Sequence, residues 1–327
     1  MNIAILGAGA WGTALAASLA ARHRVTLWAR DAAQADAMRA TRRNERYLPE
    51  ILLPETLNVV ADLDAALDGV ELILVVVPVS ALRVTLENIA RRAVPVVWAC
   101  KGFEAGSAQL PDQVAAEVLS PYVPRGVLSG PSFALEVARG LPTALTLAST
   151  DGDFAGMAAQ ALHHARLRVY SSTDVTGVET GGAVKNVLAI AAGISDGMGF
   201  GYNARAAMIT RGLAEMTRLG LRMGGRAETL GGLSGAGDLI LTCTGDLSRN
   251  RQVGLLLAQK NALPDILRQL GHVAEGVYTV REVHRLAQML DVDMPICAAV
   301  YRVLYENVPA ASAVEALLSR QPNSEFR

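Results

Sequence analysis

Met1-Asn-Ile-Ala-Ile-Leu-Gly7-Ala-Gly9-Ala-Trp11-Gly12 opens the chain, a short apolar run at 3–6 leading straight into Gly7-x-Gly9-x-x-Gly12. An alanine-rich, uncharged helical segment follows, and a second apolar run at 25–28 closes at Arg30. Strand, glycine turn, helix and strand in that order describe a dinucleotide-binding unit. Gly7 permits the tight turn, Gly9 lets a pyrophosphate reach the backbone, and Gly12 lets the helix pack closely on the sheet. The first amides of that helix would face the diphosphate, where the helix dipole favours negative charge. A glycine turn alone is weak evidence, but here both flanks fit.

The residue that ends the second strand refines the cofactor. An NAD-selective site places Asp or Glu there to hold the ribose 2′-hydroxyl. This chain has Arg30, with Asp31 beside it. Arginine suits a 2′-phosphate, so NADPH is the expected cofactor, and Asp31 leaves NADH open as well. The plainer alternative makes Arg30 a solvated strand end.

At 327 residues the chain is long enough for two domains and a large core. Its 51% hydrophobic and 19% charged residues describe a compact globular protein rather than a disordered one. Thirty Lys and Arg balance 31 Asp and Glu, and no basic stripe stands out, so no nucleic-acid partner is expected. Cys100, Cys243 and Cys297 lie far apart without CxxC spacing, which points to a reducing compartment and away from structural zinc. His163 and His164 are adjacent and point in different directions, so no metal site is expected. The uncharged stretch 3–21 has no positive n-region before it, and its glycines fall on the nucleotide fingerprint. Neither a signal peptide nor membrane insertion is expected, and the chain reads as cytoplasmic.

Apolar runs at 3–6, 25–28, 72–77, 94–99, 127–129 and 144–148 read as strands, several of them near-continuous as in parallel strands covered on both faces. Helical patterns at 80–92 and 111–119 lie between them. After about Ser172 strand-like runs almost vanish, and helical segments take over at 178–193, 204–222, 251–260, 277–290 and 295–306. The expected fold is α/β: a doubly wound, Rossmann-like, mostly parallel sheet followed by an all-α second domain. The expected division is a dinucleotide-binding domain at 1–172 and an α-helical substrate and catalytic domain at 173–327. The residues from Gln321 to Arg327 read as a frayed polar tail. Periodicity alone does not separate an interface from a core, so a homodimer through the helical domain stays open.

Four further segments carry chemistry. Trp98-Ala-Cys-Lys101-Gly102 puts a lysine where a strand ends, at the edge where doubly wound folds bind ligands; the alternative is a surface lysine. Ser129-Gly130-Pro131-Ser132-Phe133-Ala134 runs from a strand into a helix start that Ser132 could cap, or that could present amides to a ligand. Gly181-Gly182-Ala183-Val184-Lys185-Asn186 embeds a lysine in an apolar helix, which is costly unless the amine is paired or neutral. Desolvation and a nearby cation such as Lys101 would lower its pKa toward that of a general base for an alcohol; otherwise Lys185 snorkels to the surface. Ser234-Gly-Ala-Gly237-Asp238 is a constrained turn that aims one carboxylate. Close behind it, Ser248-Arg249-Asn250-Arg251 reads as a capped helix start able to bind phosphate, or as a capped surface helix with a solvated arginine.

Together these segments resemble the bacterial NAD(P)-dependent glycerol-3-phosphate dehydrogenases over nearly the whole chain. The matching pieces are GAGAWG at 7–12, WACKG at 98–102, SGPSFA at 129–134, GGAVKN at 181–186, SGAGDLILTCT at 234–244, SRNR at 248–251 and VAEG at 273–276. The resemblance implies that Lys185 is the proton acceptor for the C2 hydroxyl of glycerol 3-phosphate. It implies substrate contacts from Lys101, Gly130, Ser132, Asp238, Ser248, Arg249 and Asn250, with Arg249 as phosphate anchor. It also implies cofactor contacts from Trp11, Arg30, Lys101, Ala134, Arg249, Val273 and Glu275, beside Gly7, Gly9 and Gly12. The partner so implied is a small phosphorylated substrate, and the pathway served is glycerophospholipid synthesis. Val77-Pro78-Val79-Ser80 departs from the family's direct Pro-Ser, so Ser80 receives no role. Two rivals remain at the level of sequence: a related β-hydroxyacid-type dehydrogenase, and a non-catalytic NADPH-binding protein that kept the fold.

Overall fold

The computed structural model describes residues 1–271 and 274–320. Eight strands form one sheet: β1 Asn2–Leu6, β2 Arg24–Trp28, β3 Asn58–Val60, β4 Leu72–Val75, β5 Val96–Trp98, β6 Arg125–Ser129, β7 Thr143–Ala148 and β8 Leu167–Ser172. Their order across the sheet is β3-β2-β1-β4-β5-β6-β7-β8. Every neighbouring pair is parallel except β6 and β7, which run antiparallel. The helices of this half are α1 Ala10–Leu19, α2 Ala32–Thr41, α3 Leu63–Ala66, α4 Val79–Ile89, α5 Pro111–Val118, α6 Ala134–Ala138 and α7 Gly152–Leu162. The second half holds α8 Val175–Gly197, α9 Gly201–Arg222, α10 Ala227–Leu230, α11 Asp238–Thr244, α12 Arg249–Ala258, α13 Leu263–Leu270, α14 Glu275–Met289, α15 Pro295–Tyr305 and α16 Ala310–Leu318.

Alternation along each strand splits the sheet's apolar side chains between two layers. Ile3 and Ile5 join Leu15 and Leu19 of α1, Met38 of α2 and Phe154 of α7 on one face. Ala4 and Leu6 join Leu82 and Leu86 of α4, Val114 of α5 and the start of α8 on the other. Each fully buried Leu or Ile of this kind contributes roughly 1.5–3 kcal/mol. Two strands carry no long apolar run in the sequence. β3 is three residues long, and β8 is an edge strand whose Arg168, Tyr170 and Ser171 are exposed. An edge strand with one solvated face needs no continuous apolar run.

α8 is buried on every side and forms the axis of the helical half. Its partner α12 comes to backbone distance. A Cβ on Gly193 would lie 2.0 Å from the Arg251 carbonyl, and one on Gly254 would lie 2.1 Å from the Ile190 carbonyl. Side chains at either position would hold the two helices apart. The segment 99–110 leaves β5 and crosses into this second core, where Phe103 and Leu110 pack with Val184 and Val187 of α8. Among the described residues, no helix is long and apolar enough to cross a membrane.

Candidate active site

Parallel pairing of β1, β4, β5 and β6 brings Gly7, Lys101 and Gly130 to the same carboxyl edge of the sheet, the edge where such folds take ligands. Gly7 sits at φ +118°, and a Cβ there would meet the Val76 carbonyl at 2.3 Å. A Cβ on Gly12 would come within 1.9 Å of the Gly7 carbonyl, so α1 can start this close to the turn only on glycine. Gly9 differs: beyond its Cα nothing lies within 4 Å. It occupies the N-cap of α1 without any side-chain cap, which leaves the first amides of the helix open. Open amides, a free approach over Gly9 and the helix dipole fit a dinucleotide pyrophosphate. Trp11, on the first turn, is half-buried against Ala14, Leu48 and Val137.

At the end of β2, Arg30 is exposed and bonds to no described residue. Asp31 is committed elsewhere: its carboxylate caps α2, accepting from the amides of Ala33 at 3.0 Å and Gln34 at 3.4 Å. The two residues left open by the sequence are thus separated by the structure.

The centre of the site is one carboxylate between two lysines. Asp238, 1% exposed, accepts from Lys101 Nζ at 2.6 Å with Oδ2 and from Lys185 Nζ with Oδ1. Lys101 also donates to the Gly130 carbonyl at 3.1 Å, and Lys185 to the Thr242 hydroxyl at 3.1 Å. Asp238 reaches this position because a π-helical turn, Leu233–Gly237, delivers it as the first residue of α11. Local widening of this kind recurs at functional sites. Burial pulls the Lys185 pKa down to about 8, with Asp238 opposing and Lys101 assisting. Lys185 is therefore neither a snorkelling surface lysine nor a permanently charged one.

The glycines that precede Lys185 make room for protein. A Cβ on Gly181 would meet the Ser234 carbonyl at 2.7 Å, and one on Gly182 would meet Ser129 Oγ at 3.1 Å and Lys101 Cγ at 3.4 Å. Small residues on an apolar helix could equally admit a ligand at this point. Instead the π-turn and the stem of Lys101 fill the space, and this close fit lets three separate segments converge on Asp238.

Ser248 caps α12 as expected, its hydroxyl accepting from the Arg251 amide at 3.3 Å. Arg251 is structural, tied to Asp196 and Asp246 at 2.9 Å each. Arg249 is exposed and donates to no described residue. Asn250 bridges three helices, donating to Asn186 Oδ1 of α8 and accepting from the Gly276 amide of α14, both at 3.0 Å. Glu275, the first residue of α14, has its pKa raised by burial and drawn back by Arg249, Lys101 and Lys185. The cofactor and substrate candidates therefore share one electrostatic neighbourhood. Val273 lies outside the described residues.

Ser132 does not cap a helix. Phe133 holds the N-cap position of α6, and the Ser132 hydroxyl donates to the Gly130 carbonyl at 3.0 Å. Ala134 opens that helix and is half-buried. Thr242 and Asn186, which lie in motifs read from the sequence without a role of their own, and Glu179, which lies outside them, join the site or its support. Thr242 lies one turn after Asp238 and Glu179 lies six residues before Lys185, spacings that become visible only once the helix faces are known. Among the described residues no group of three His, Cys, Asp or Glu could hold a metal ion, and all three cysteines are free and buried.

With this geometry in hand, the comparisons are specific. The family model for the NAD-dependent glycerol-3-phosphate dehydrogenase N-terminus matches residues 2–155, and that for the C-terminus matches 174–315. Glycerol-3-phosphate dehydrogenase [NAD(P)+] of Nitrosospira multiformis is 62% identical over 332 residues, covering 100% of both chains. The crystal structure of glycerol-3-phosphate dehydrogenase from Coxiella burnetii superposes with a TM-score of 0.93 at 46% identity, covering 98% of this chain and 99% of that one. The Saccharomyces cerevisiae glycerol-3-phosphate dehydrogenase structure gives 0.82 at 28% identity, covering 96% and 98%. Similar along its whole length to these proteins, the chain belongs to the NAD-dependent glycerol-3-phosphate dehydrogenase family.

Proposed function

We propose that the chain catalyses reversible, NAD(P)H-dependent reduction of dihydroxyacetone phosphate to sn-glycerol 3-phosphate, with reduction as the cellular direction and glycerophospholipid synthesis as its destination. The observation that carries the reading is the buried Lys101–Asp238–Lys185 cluster at the sheet edge that also bears the dinucleotide turn. We assign dinucleotide binding to residues 1–172 and substrate binding and proton transfer to residues 173–327. A cofactor would be held by Gly7, Gly9, Gly12, Trp11, Arg30, Lys101, Ala134, Arg249, Val273 and Glu275, with NADPH preferred because Arg30 is free to meet a 2′-phosphate. When bound, it exchanges a hydride with C2 of the substrate.

The chain's own task is the proton. In oxidation, neutral Lys185 takes the C2 hydroxyl proton; in reduction, protonated Lys185 polarises the carbonyl and returns it. Two of the three free directions of Nζ point at acceptors, Asp238 and Thr242. The third therefore carries the lone pair in one direction of reaction and the transferable N–H in the other. Lys101 adds positive potential where the alkoxide develops. Gly130 and Ser132 line the substrate from the β6 side, and Asp238 holds both lysines. Ser248, Arg249 and Asn250 form the phosphate end, where Arg249 is exposed and the N-terminus of α12 adds positive potential.

The test is NADPH and then NADH consumption by purified protein with dihydroxyacetone phosphate, against the unphosphorylated ketone. Oxidation of NADPH that depends on the phosphate is expected. Cofactor binding without turnover would discard the substrate. We also place the protein in the cytoplasm, which three free buried thiols support. A homodimer through the helical half, where Tyr202 and Leu221 of α9 are exposed, is checked by sedimentation.

A further inference from the structure

Glu179 is a buried carboxyl that the reaction above does not use. It lies on α8 six residues before Lys185 and is 4% exposed. Its Oε1 accepts from Trp98 Nε1 at 2.7 Å and from the Asp112 amide at 3.1 Å, and its Oε2 lies 3.2 Å from the same amide. These two donors bracket one stretch of chain. Trp98 is the last residue of β5, three residues before Lys101, and Asp112 is in the first turn of α5, where the chain returns from its excursion. One carboxyl on the helix of Lys185 therefore pins both ends of the segment that carries Lys101.

We infer that Glu179 is a positioning residue for the reaction, setting the register of Lys101 against Lys185 across Asp238. The inference rests on the proton-transfer reading of that cluster. An apolar side chain here would avoid the cost of burying a carboxyl, but it would leave the Trp98 and Asp112 donors without acceptors. Nor is Glu179 simply a cap for α5, since capping would not require the bond to Trp98. Burial, opposed by both hydrogen bonds and reinforced by Asp112, raises its pKa to about 8. At pH 7 the group is therefore mostly a neutral acid whose Oε1 takes both donors, a role that a glutamine oxygen can repeat.

The link to chemistry runs through charge. The groups facing Lys185 are Asp238 and Cys243 of α11, Lys101 of the 99–110 segment, and Glu275 of α14. Those facing Glu179 are Asp112 of α5 and Cys100 beside Lys101. Of the neighbours of Lys185, Lys101 is the one whose segment Glu179 anchors. Loosening that segment weakens the cationic push that keeps the Lys185 amine available as a base.

The experiment measures kcat, KM, NADPH affinity and the pH dependence of glycerol 3-phosphate oxidation in wild type, Glu179→Leu, Glu179→Gln and Trp98→Phe. Glu179→Leu is expected to lower kcat by about tenfold or more. NADPH affinity should stay within about threefold, and the pH midpoint should move up by about half a unit. Glu179→Gln should recover most of kcat, and Trp98→Phe, which deletes one donor and keeps an aromatic ring, should show both changes at smaller size. A merely structural Glu179 would lower Tm in these variants without moving the midpoint. If Glu179→Leu does not fold, Trp98→Phe carries the test alone. A folded variant with wild-type kcat and midpoint overturns the inference, as does a Gln variant no better than Leu. Wild-type protein inactive on both substrates would instead overturn the underlying reading.

Discussion

Lys185 donates to the Thr242 hydroxyl at 3.1 Å, and that hydroxyl has already given its own proton to the Asp238 carbonyl at 2.6 Å. Thr242 can therefore only accept from the lysine, in either protonation state. Together with Asp238 it fixes where the working lone pair or N–H points. Thr242→Val keeps the shape and removes the acceptor. We expect kcat to fall about tenfold, the scale of a misaimed catalytic group, with NADPH affinity unchanged. Steady-state kinetics with fluorescence titration of the cofactor checks this, and an unaltered kcat would mean that Asp238 alone aims the amine.

The two reaction directions should respond oppositely to pH. Lys185 titrates near pH 8 because burial disfavours its charged form. Oxidation needs the neutral amine, so its kcat should rise as pH passes through about 8; reduction needs the ammonium, so its kcat should fall over the same range. Asp238 opposes the shift. Asp238→Asn should therefore lower the Lys185 pKa further and move both midpoints to lower pH. Rate profiles from pH 6 to 10 in each direction decide it; midpoints that move upward would contradict the assigned role of the Asp238 charge.

Most of the sheet was legible because its strands are covered on both faces and read as unbroken apolar runs. The glycine turn was legible because each glycine answers a steric demand that the structure displays as a would-be clash or an open approach. β8 was not, since an edge strand with Arg168 and Tyr170 in solvent lacks that signature. In the site, Lys185 announced itself as a charge in an apolar helix, and Ser248 as a cap. Ser132 misled because Ser before a short helix normally caps it, whereas here its hydroxyl turns back to Gly130. Thr242 and Glu179 were silent for a different reason. Their partners lie 57 and 81 residues away in sequence, and nothing local marks a side chain whose role is set by another segment.

Arg30 and Asp31 offer a clean separation of cofactor preference from fold. Arg30 bonds to nothing described, while Asp31 caps α2. Arg30→Ala should weaken NADPH binding by about ten- to a hundredfold, the scale of one lost charge-assisted phosphate contact. NADH binding should change little. Asp31→Ala should instead cost stability, about 1 kcal/mol for a lost cap, and leave the ratio of the two affinities nearly constant. Affinities for both cofactors, with thermal melts, check this; equal losses for NADPH and NADH in Arg30→Ala would remove Arg30 from the 2′-phosphate.

The helical half carries its own pH signature. Glu215 of α9 is 1% exposed and accepts from the amides of Ile296 at 2.6 Å and Cys297 at 3.1 Å, closing the start of α15. Burial raises its pKa to about 7, against those two bonds. A group whose pKa is higher in the folded state binds its proton more tightly there. Its contribution to stability is then complete below the unfolded value near 4.5 and is lost as pH rises through about 7. Glu215→Gln keeps one acceptor oxygen and cannot ionise. Every other titrating group, including Glu179 and the partly buried His164, is common to both proteins and cancels in the comparison. The advantage of wild type over Glu215→Gln should therefore shrink by roughly 2.5 kcal/mol between pH 5 and pH 8, most of the shift from 4.5 to about 7 expressed as free energy, since at pH 5 the unfolded carboxyl is already largely ionised. Urea unfolding of both proteins across that range measures it. A difference that stays constant with pH would show that Glu215 is ionised in the folded protein throughout, held by the two amides more strongly than burial opposes it.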